Sequence, residues 1–391
     1  MNKKAWVVSL TTIFGGIALA LVQNKVSPVI TLLMDAFSIS MNTAGLLSTI
    51  FCVMGMIIAL PAAIILKKLG PKKSGIISLI FAIAGSLLGI LTDNITVLII
   101  SRIIEGFGVG IIAVLAPALI SMWFPVEKRG FPMGIWGAWM MVSQTVLFLI
   151  SSPITNQFGW RGMWGVGLAA CFIAAVLFLL FVESPSKEHN HAGSEEDDVK
   201  IKEGIKSSSS WMLAISAACF TFCSFTFVSW ISPYWSETSG WSIDTTQMWI
   251  SLLYFVEILY AVIIGFLLNK VKNRKLLGAV GFIAYGALGL LSFYIGSIPL
   301  IIAMVFIFPI FDALIPCIAW TIGPQTAKSP IYTGVALGIL NIGLNLGTLL
   351  SAPISGWMVE SYGWSSAGIL FAVVAIIGAF FMHRVRMNFG E

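Results

Sequence analysis

The chain has 391 residues, 58% of them hydrophobic and 10% charged, with a formal net charge of +5. A soluble domain carries about 25% charged and 45–50% apolar residues, so this composition excludes a water-soluble enzyme as the whole protein. The 27 Phe, 14 Trp and 37 Gly suit membrane helices instead, which tolerate Gly and anchor with aromatics at the interfaces.

A helix needs about 20 apolar residues to cross a hydrocarbon core about 30 Å thick. In chain order such stretches run over residues 6–34, 43–66, 74–92, 96–121, 132–154 and 162–182, then 210–233, 246–268, 276–296, 298–323, 332–358 and 364–383. The runs are continuous and do not alternate over about ten residues as barrel strands do, so they predict twelve helices. Met1-Asn2-Lys3-Lys4 leads into a stretch too long for a signal-peptide core, with no small-residue cleavage site after it. Between the sixth and seventh spans, residues 184–209 hold His189, His191, the acidic run Glu195-Glu196-Asp197-Asp198 and the serines 207–210. That is the composition of a flexible linker, and the histidines read as solvated, not as a metal site. The predicted organisation is an N-terminal six-helix bundle (1–183), a cytoplasmic linker (184–209) and a C-terminal six-helix bundle (210–391). All five cysteines fall in spans and read as apolar fillers. Cys219 and Cys223 lie four apart on one helix, too far along its axis for an unstrained disulfide.

Lysines and arginines set the orientation, because positive charge in short loops stays cytoplasmic. With the N-terminus inside, the inner segments hold Lys3, Lys4, Lys67, Lys68, Lys72, Lys73, Lys128, Arg129, Lys187, Lys200, Lys202 and Lys206. Lys270, Lys272, Arg274, Lys275, Lys328, Arg384 and Arg386 join them. Arg161 alone falls in an outer loop, and Lys25 and Arg102 fall within spans. Both termini are therefore expected in the cytoplasm, the chain lying in the plasma (cytoplasmic) membrane. The net charge reflects this loop bias and calls for no nucleic-acid partner.

The two halves repeat each other at a nearly constant offset of about 200 residues, and such internal repeats define an architecture. Phe37-Ser38-Ile39-Ser40 parallels Trp241-Ser242-Ile243-Asp244. Lys67-Lys68-Leu69-Gly70-Pro71-Lys72-Lys73 parallels Asn269-Lys270-Val271-Lys272-Asn273-Arg274-Lys275. Ser152-Pro153-Ile154 parallels Ala352-Pro353-Ile354, and each leads into a Gly-Trp pair, Gly159-Trp160 and Gly363-Trp364. Lys25-Val26-Ser27-Pro28 stands against Trp230-Ile231-Ser232-Pro233. The expected fold class is an all-α polytopic membrane protein, its twelve transmembrane helices in two pseudo-symmetric six-helix bundles.

Over its whole length the sequence resembles the major facilitator superfamily of secondary transporters, which has two six-helix halves and a basic motif, Gly-x-x-x-Asp-Arg-x-Gly-Arg-Lys, between spans two and three and again between eight and nine. The first copy keeps Gly70 and the cationic run, with Ala63 for the Gly and Lys67 for the Asp. The second keeps Gly265, Lys270 and Arg274, with Asn269 for the Asp. The Asp of the family's cytoplasmic latch is thus replaced in both. Arg102-Ile103-Ile104-Glu105-Gly106-Phe107-Gly108 is similar to the family's Arg-x-x-Gln-Gly-x-Gly in span four. The Gly-Pro-x-x-Gly-Gly pattern of drug/proton antiporters is missing from residues 137–153, which argues against efflux. Lys25 before Pro28, and Gly159-Trp160-Arg161 entering span six, resemble the cyanate-permease-like and anion-symporter-like branches.

A charge at mid-bilayer costs about 2.5–3.5 kcal/mol on insertion scales, so intramembrane ionisable groups are functional suspects. Lys25, Arg102, Glu105, Glu257 and Asp312 qualify. At 1.5 Å rise per residue, Lys25 and Arg102 reach similar depths, somewhat outside the midplane. If both face a cavity they build a site for a carboxylate or inorganic anion, Arg as a planar fork and Lys as a point charge. The alternative is that Glu105 neutralises one or both. Glu257 and Asp312 lie near the midplane; withdrawal from water favours their protonated form, so either can carry a proton, and either can instead ligate Na⁺ or meet a cationic group. Pro28 and Pro316 lack an N–H and leave the carbonyls of Asn24 and Asp312 unbonded within their helices, a break tolerated where it lines a cavity. Gln144, Asn341 and Asn345 are cavity candidates whose alternative role is interhelical hydrogen bonding. Trp230, Trp139 and Tyr254 can wall a small solute or simply pack.

The sequence thus predicts a secondary transporter, not an enzyme. It would move a small anionic solute by alternating access, the halves rocking about a midplane site, coupled to H⁺ or Na⁺. Lys25, Arg102, Asn24, Gln144, Asn341, Asn345, Trp230 and Tyr254 would contact solute; Glu257, Asp312 and Glu105 would couple. No Gly-x-x-x-x-Gly-Lys-Ser/Thr loop is present, no cofactor or metal is expected, and the chain reads as a monomer in the bilayer. A proton-coupled exporter of organic cations or drugs, a zwitterion or amino-acid carrier, and a non-transporting sensor on the same fold remain open.

Overall fold

The computed structural model describes residues 3–125, 128, 130–183, 204–268, 270–329 and 332–387. Most of the linker, with His189, His191 and the acidic run, lies outside the described residues, as do Arg129 and Asn269. So do the side chains at positions 63 and 67. Among the described residues there is no strand, and twelve helices are long and apolar enough to cross a membrane, each overlapping a predicted span. In chain order they are α1 (Lys3–Phe37), α2 (Met41–Ile58), α3 (Lys68–Leu91), α4 (Ile95–Trp123), α5 (Gly130–Phe158) and α6 (Arg161–Phe181). Then follow α7 (Ser208–Ser239), α8 (Ile243–Leu268), α9 (Arg274–Ser292), α10 (Ile298–Thr326), α11 (Thr333–Tyr362) and α12 (Trp364–Arg384).

Local chemistry explains the breaks. Pro28 cannot donate a helical hydrogen bond, and α1 is interrupted there: a regular helix ends at Asn24, and a 3-10 turn, Ser27–Val29, precedes the second segment, Ile30–Phe37. The basic stretch at the start of α3 is kinked at Gly70, whose φ of 74° an L side chain rarely adopts. The two repeated Gly-Trp pairs do one job in each half. Gly159 and Gly363 end α5 and α11 at φ 60° and 81°, and their N–H groups donate to the carbonyls of Thr155 and Val359, both at 2.8 Å.

The chain forms two compact units, one of Met1–Phe37 with Ile50–Glu195, the other of Ser38–Thr49 with Glu196–Glu391. In the first, Val8, Leu19, Leu79, Leu115, Cys171 and Phe178 form a core where α1, α3, α4 and α6 meet. In the second, α7 lies along α11 through Gly343 and Gly347, one turn apart. A Cβ at either would overlap the backbone carbonyls of Ala214 and Ala218. Residues 41–49 pack on α11 in the same unit. Gly45 abuts the carbonyl of Ala352, the Met41 N–H donates to Glu360 at 2.8 Å, and Thr49 Oγ1 donates to the Leu349 carbonyl at 3.0 Å.

Candidate functional site

The first unit buries a three-charge cluster. Lys25 sits at the break in α1, and its Nζ donates to Glu105 Oε1 at 2.5 Å and to Ser86 Oγ at 3.1 Å. Ser86 Oγ donates in turn to the same Oε1 at 2.8 Å. Arg102 lies one turn before Glu105 on α4 and donates from Nη1 to Oε2 at 2.6 Å. Its fork also takes the Val22 carbonyl through Nη1 and the Gln23 carbonyl through Nη2, both at 2.6 Å. Those two carbonyls belong to the last turn before the break, where acceptors lose their helical donors. Arg102 therefore restores what the interruption removes, and so fixes the position of Lys25. The side chains of Lys25, Arg102 and Glu105 are all 0% exposed.

Packing closes the cluster. Lys25 Nζ lies 4.5 Å from the centre of the Trp164 ring, and the Arg102 guanidinium 5.3 Å from that of Phe51. Gly85 and Gly89 of α3 let that helix approach, since a Cβ at Gly85 would crowd Glu105 and one at Gly89 would strike Trp164. The charge count is two cations to one carboxylate. A lysine ammonium has three protons, and Lys25 has two hydrogen-bond acceptors among the described residues.

The second unit buries two acids. Asp312 of α10 accepts from Tyr285 Oη at 2.7 Å and also from Ser224. Tyr285 is itself wedged between Phe308 and Phe371, at ring separations of 5.0 and 4.9 Å. Glu257 of α8 is buried within electrostatic reach of Asp312, and Tyr254 within reach of both. Glu257 Oε2 has no hydrogen-bond partner among the described residues. A buried carboxylate oxygen in that state costs free energy unless it is protonated or holds a cation.

The other expected site residues take other positions. Asn24 faces Met140, its Nδ2 3.6 Å from Sδ, and its Oδ1 is buried without a partner among the described residues. Gln144 is buried on α5. Asn345 donates back to the Asn341 carbonyl at 2.9 Å and to its Oδ1 at 3.3 Å, so these two bond each other along α11. Trp230 is fully buried and donates to Ser355 Oγ at 3.0 Å, and Trp139 stacks on Trp136 at 4.5 Å. Among the described residues no group of three or more His, Cys, Asp and Glu is placed to hold a metal ion, and all five cysteines are free thiols. Ser86, Trp164, Tyr285 and Ser224 were not singled out from the sequence. Ser86 has a signal there, lying in a Gly-Ser-Leu-Leu-Gly stretch whose glycines mark a close helix contact; isolated aromatics and serines in a span have none.

A family model described as Major Facilitator Superfamily matches residues 12–335. A probable sulfoacetate transporter of Cupriavidus necator is 22% identical over 342 residues, covering 80% of this chain and 79% of that protein. Two solved structures share the fold. A bacterial homolog of the human lysosomal transporter Spinster, inward-facing and unoccupied, aligns with 98% of each chain at 16% identity and a TM-score of 0.75. A D-xylose-proton symporter aligns with 97% of each chain at 17% identity and a TM-score of 0.74.

Proposed function

Because the chain belongs to the major facilitator superfamily, it is an integral membrane secondary transporter of a small solute, and we propose that the solute is an anion taken up with H⁺ or a cation by alternating access. The observation that carries this reading is the fully buried set of two cations against one carboxylate. The excess positive charge at Lys25 is matched by an anionic solute, a carboxylate, sulfonate or inorganic ion, and the sulfoacetate in the name of the Cupriavidus relative is of that class. In this reading Lys25 contacts the solute and Arg102 holds the broken helix that presents it. Glu105 keeps the pair of cations tolerable in its absence. Glu257 and Asp312 carry the coupling ion, supported by the buried, unpartnered Oε2 of Glu257. The bias of lysines and arginines supports cytoplasmic termini in a protein of the plasma membrane.

A second reading has its own observation: the same two acids, with Tyr254 and Tyr285 beside them, suit an organic cation. Ligand-dependent melting of the purified protein separates the two, because a ligand bound only to the native state raises the melting temperature. Carboxylates, sulfonates, inorganic anions, amino acids and quaternary amines are tested on the wild type and on Lys25→Met. Anions should stabilise the wild type and lose that effect in the variant. Stabilisation of both proteins by quaternary amines, with none by anions, would instead select the cation reading.

A further inference from the structure

The second unit carries a cationic cleft that the transport reading does not use. It has a volume of about 720 Å³ and is lined by Lys206, Lys328, Arg384 and Arg386 with the serines that open α7. Four cations from three separate segments converge: the approach to α7, the loop after α10 and the end of α12. All four are exposed. Among the described residues no carboxylate lines the cleft, and none of the four cations makes an ion pair. Like charges held together repel, so this grouping favours an anion carrying more than one acceptor.

The rest of the site is built. Ser207 caps α7, accepting from the Ser210 N–H and donating to the Thr326 carbonyl at 2.6 Å. This ties the start of α7 to the end of α10, near Lys328. Ser209 Oγ accepts from the Arg386 N–H at 3.3 Å, which brings the tail after α12 against the same turn. The Arg384 guanidinium lies over the Phe380 ring at 5.1 Å. The N-terminus of a 32-residue helix, with its unsatisfied N–H groups and positive dipole end, therefore points into a cleft already ringed by cations.

We propose that this cleft binds the phosphate headgroup of an anionic phospholipid. Its position favours a lipid over a soluble phosphate: the lining residues other than Met212 lie within two residues of the end of a membrane-spanning helix, which is headgroup depth. Ile205 and Trp211 beside it expose 41% and 40% of their surface, as groups lying against acyl chains and the interface do, and Met212 adds apolar lining.

The test uses the full chain in phosphatidylcholine nanodiscs with and without phosphatidylglycerol, and in phosphatidylcholine with added inorganic phosphate. Phosphatidylglycerol should raise the melting temperature of the wild type by about 2–4 °C, and inorganic phosphate should not. The double variant Lys328→Gln/Arg386→Gln should lose the rise. Lys270→Gln/Lys272→Gln, which removes two exposed cations elsewhere in the same unit, should keep it. Equal shifts in all three proteins would overturn the proposal in favour of diffuse attraction to the charged surface. A shift with inorganic phosphate as large as with the lipid would overturn the lipid assignment, and no shift in any arm would overturn the site.

Discussion

At the scale of single residues, the Lys25–Glu105–Arg102 cluster makes an asymmetric prediction. Removing one partner of a buried pair costs about 3–5 kcal/mol when it strands an uncompensated charge, whereas a change that leaves the remaining buried charges balanced avoids that penalty. Glu105→Gln leaves two buried cations without a counter-charge and should lower the melting temperature sharply. Lys25→Met keeps the neutral Arg102–Glu105 pair and should change it little. Equal melting of the two variants would show that Glu105 is not the counter-charge of both. Arg161 offers the opposite case at the surface. It bonds Asp93 at 2.5 Å, but Asp93 is 94% exposed, and such a pair contributes about 0–1 kcal/mol. Its bonds to the carbonyls of Ile90 and Thr92, at 3.0 and 2.9 Å, hold the end of α3. Asp93→Asn should therefore melt like the wild type and Arg161→Lys, which loses the planar fork, below it. One exposed group is pH-sensitive. A hydrogen bond from Lys4 holds the Glu183 carboxyl below its ordinary range, so its small stabilisation is complete above the usual Glu pKa of about 4.3 and fades as pH falls through the lowered value. Glu183→Gln should leave the melting temperature flat where the wild type dips, and only in that acid window.

At the scale of elements, the α7–α11 contact rests on Gly343 and Gly347. Small residues one turn apart let backbones approach, and overpacking such a contact costs about 1–3 kcal/mol. Gly347→Leu should lower the melting temperature more than Leu346→Ala, since Leu346 is exposed at 43%; the reverse order would show that the helices are not in close contact there. The twelve spans were legible because each is a long apolar run ended by a charge or a turn residue, and the break in α1 because Pro28 has no N–H. The paired Gly-Trp turns were visible as a repeat, and their positive φ explains why glycine recurs. Which faces meet was not legible. A hydropathy run does not say how a helix is rotated, so the bonds from Lys25 and Arg102 to Glu105 stood in the sequence only as the alternative to an open anion site. Ser86 entered the cluster only through the approach of α3.

At the scale of the whole molecule, the proposed coupling site lies in the second unit. If Asp312 and Glu257 carry the co-transported ion, Asp312→Asn should abolish uphill uptake driven by an imposed pH or cation gradient while exchange of labelled solute across proteoliposomes continues. Loss of exchange with retained folding would make Asp312 part of the solute site instead. The twelve-helix order was readable from charge and hydropathy, but the membership of residues 41–49 was not. They precede Ile50 in the chain yet pack on α11, where Thr49 bonds Leu349 across 300 positions. This has a consequence in time. At about 5–20 residues per second of synthesis, that segment is made about 15–60 s before its partner emerges. For most of translation its small, polar face, with Asn42, Gly45 and Thr49, must rest against lipid or a chaperone, and a nascent chain stalled before α11 should be vulnerable to membrane proteases at that point.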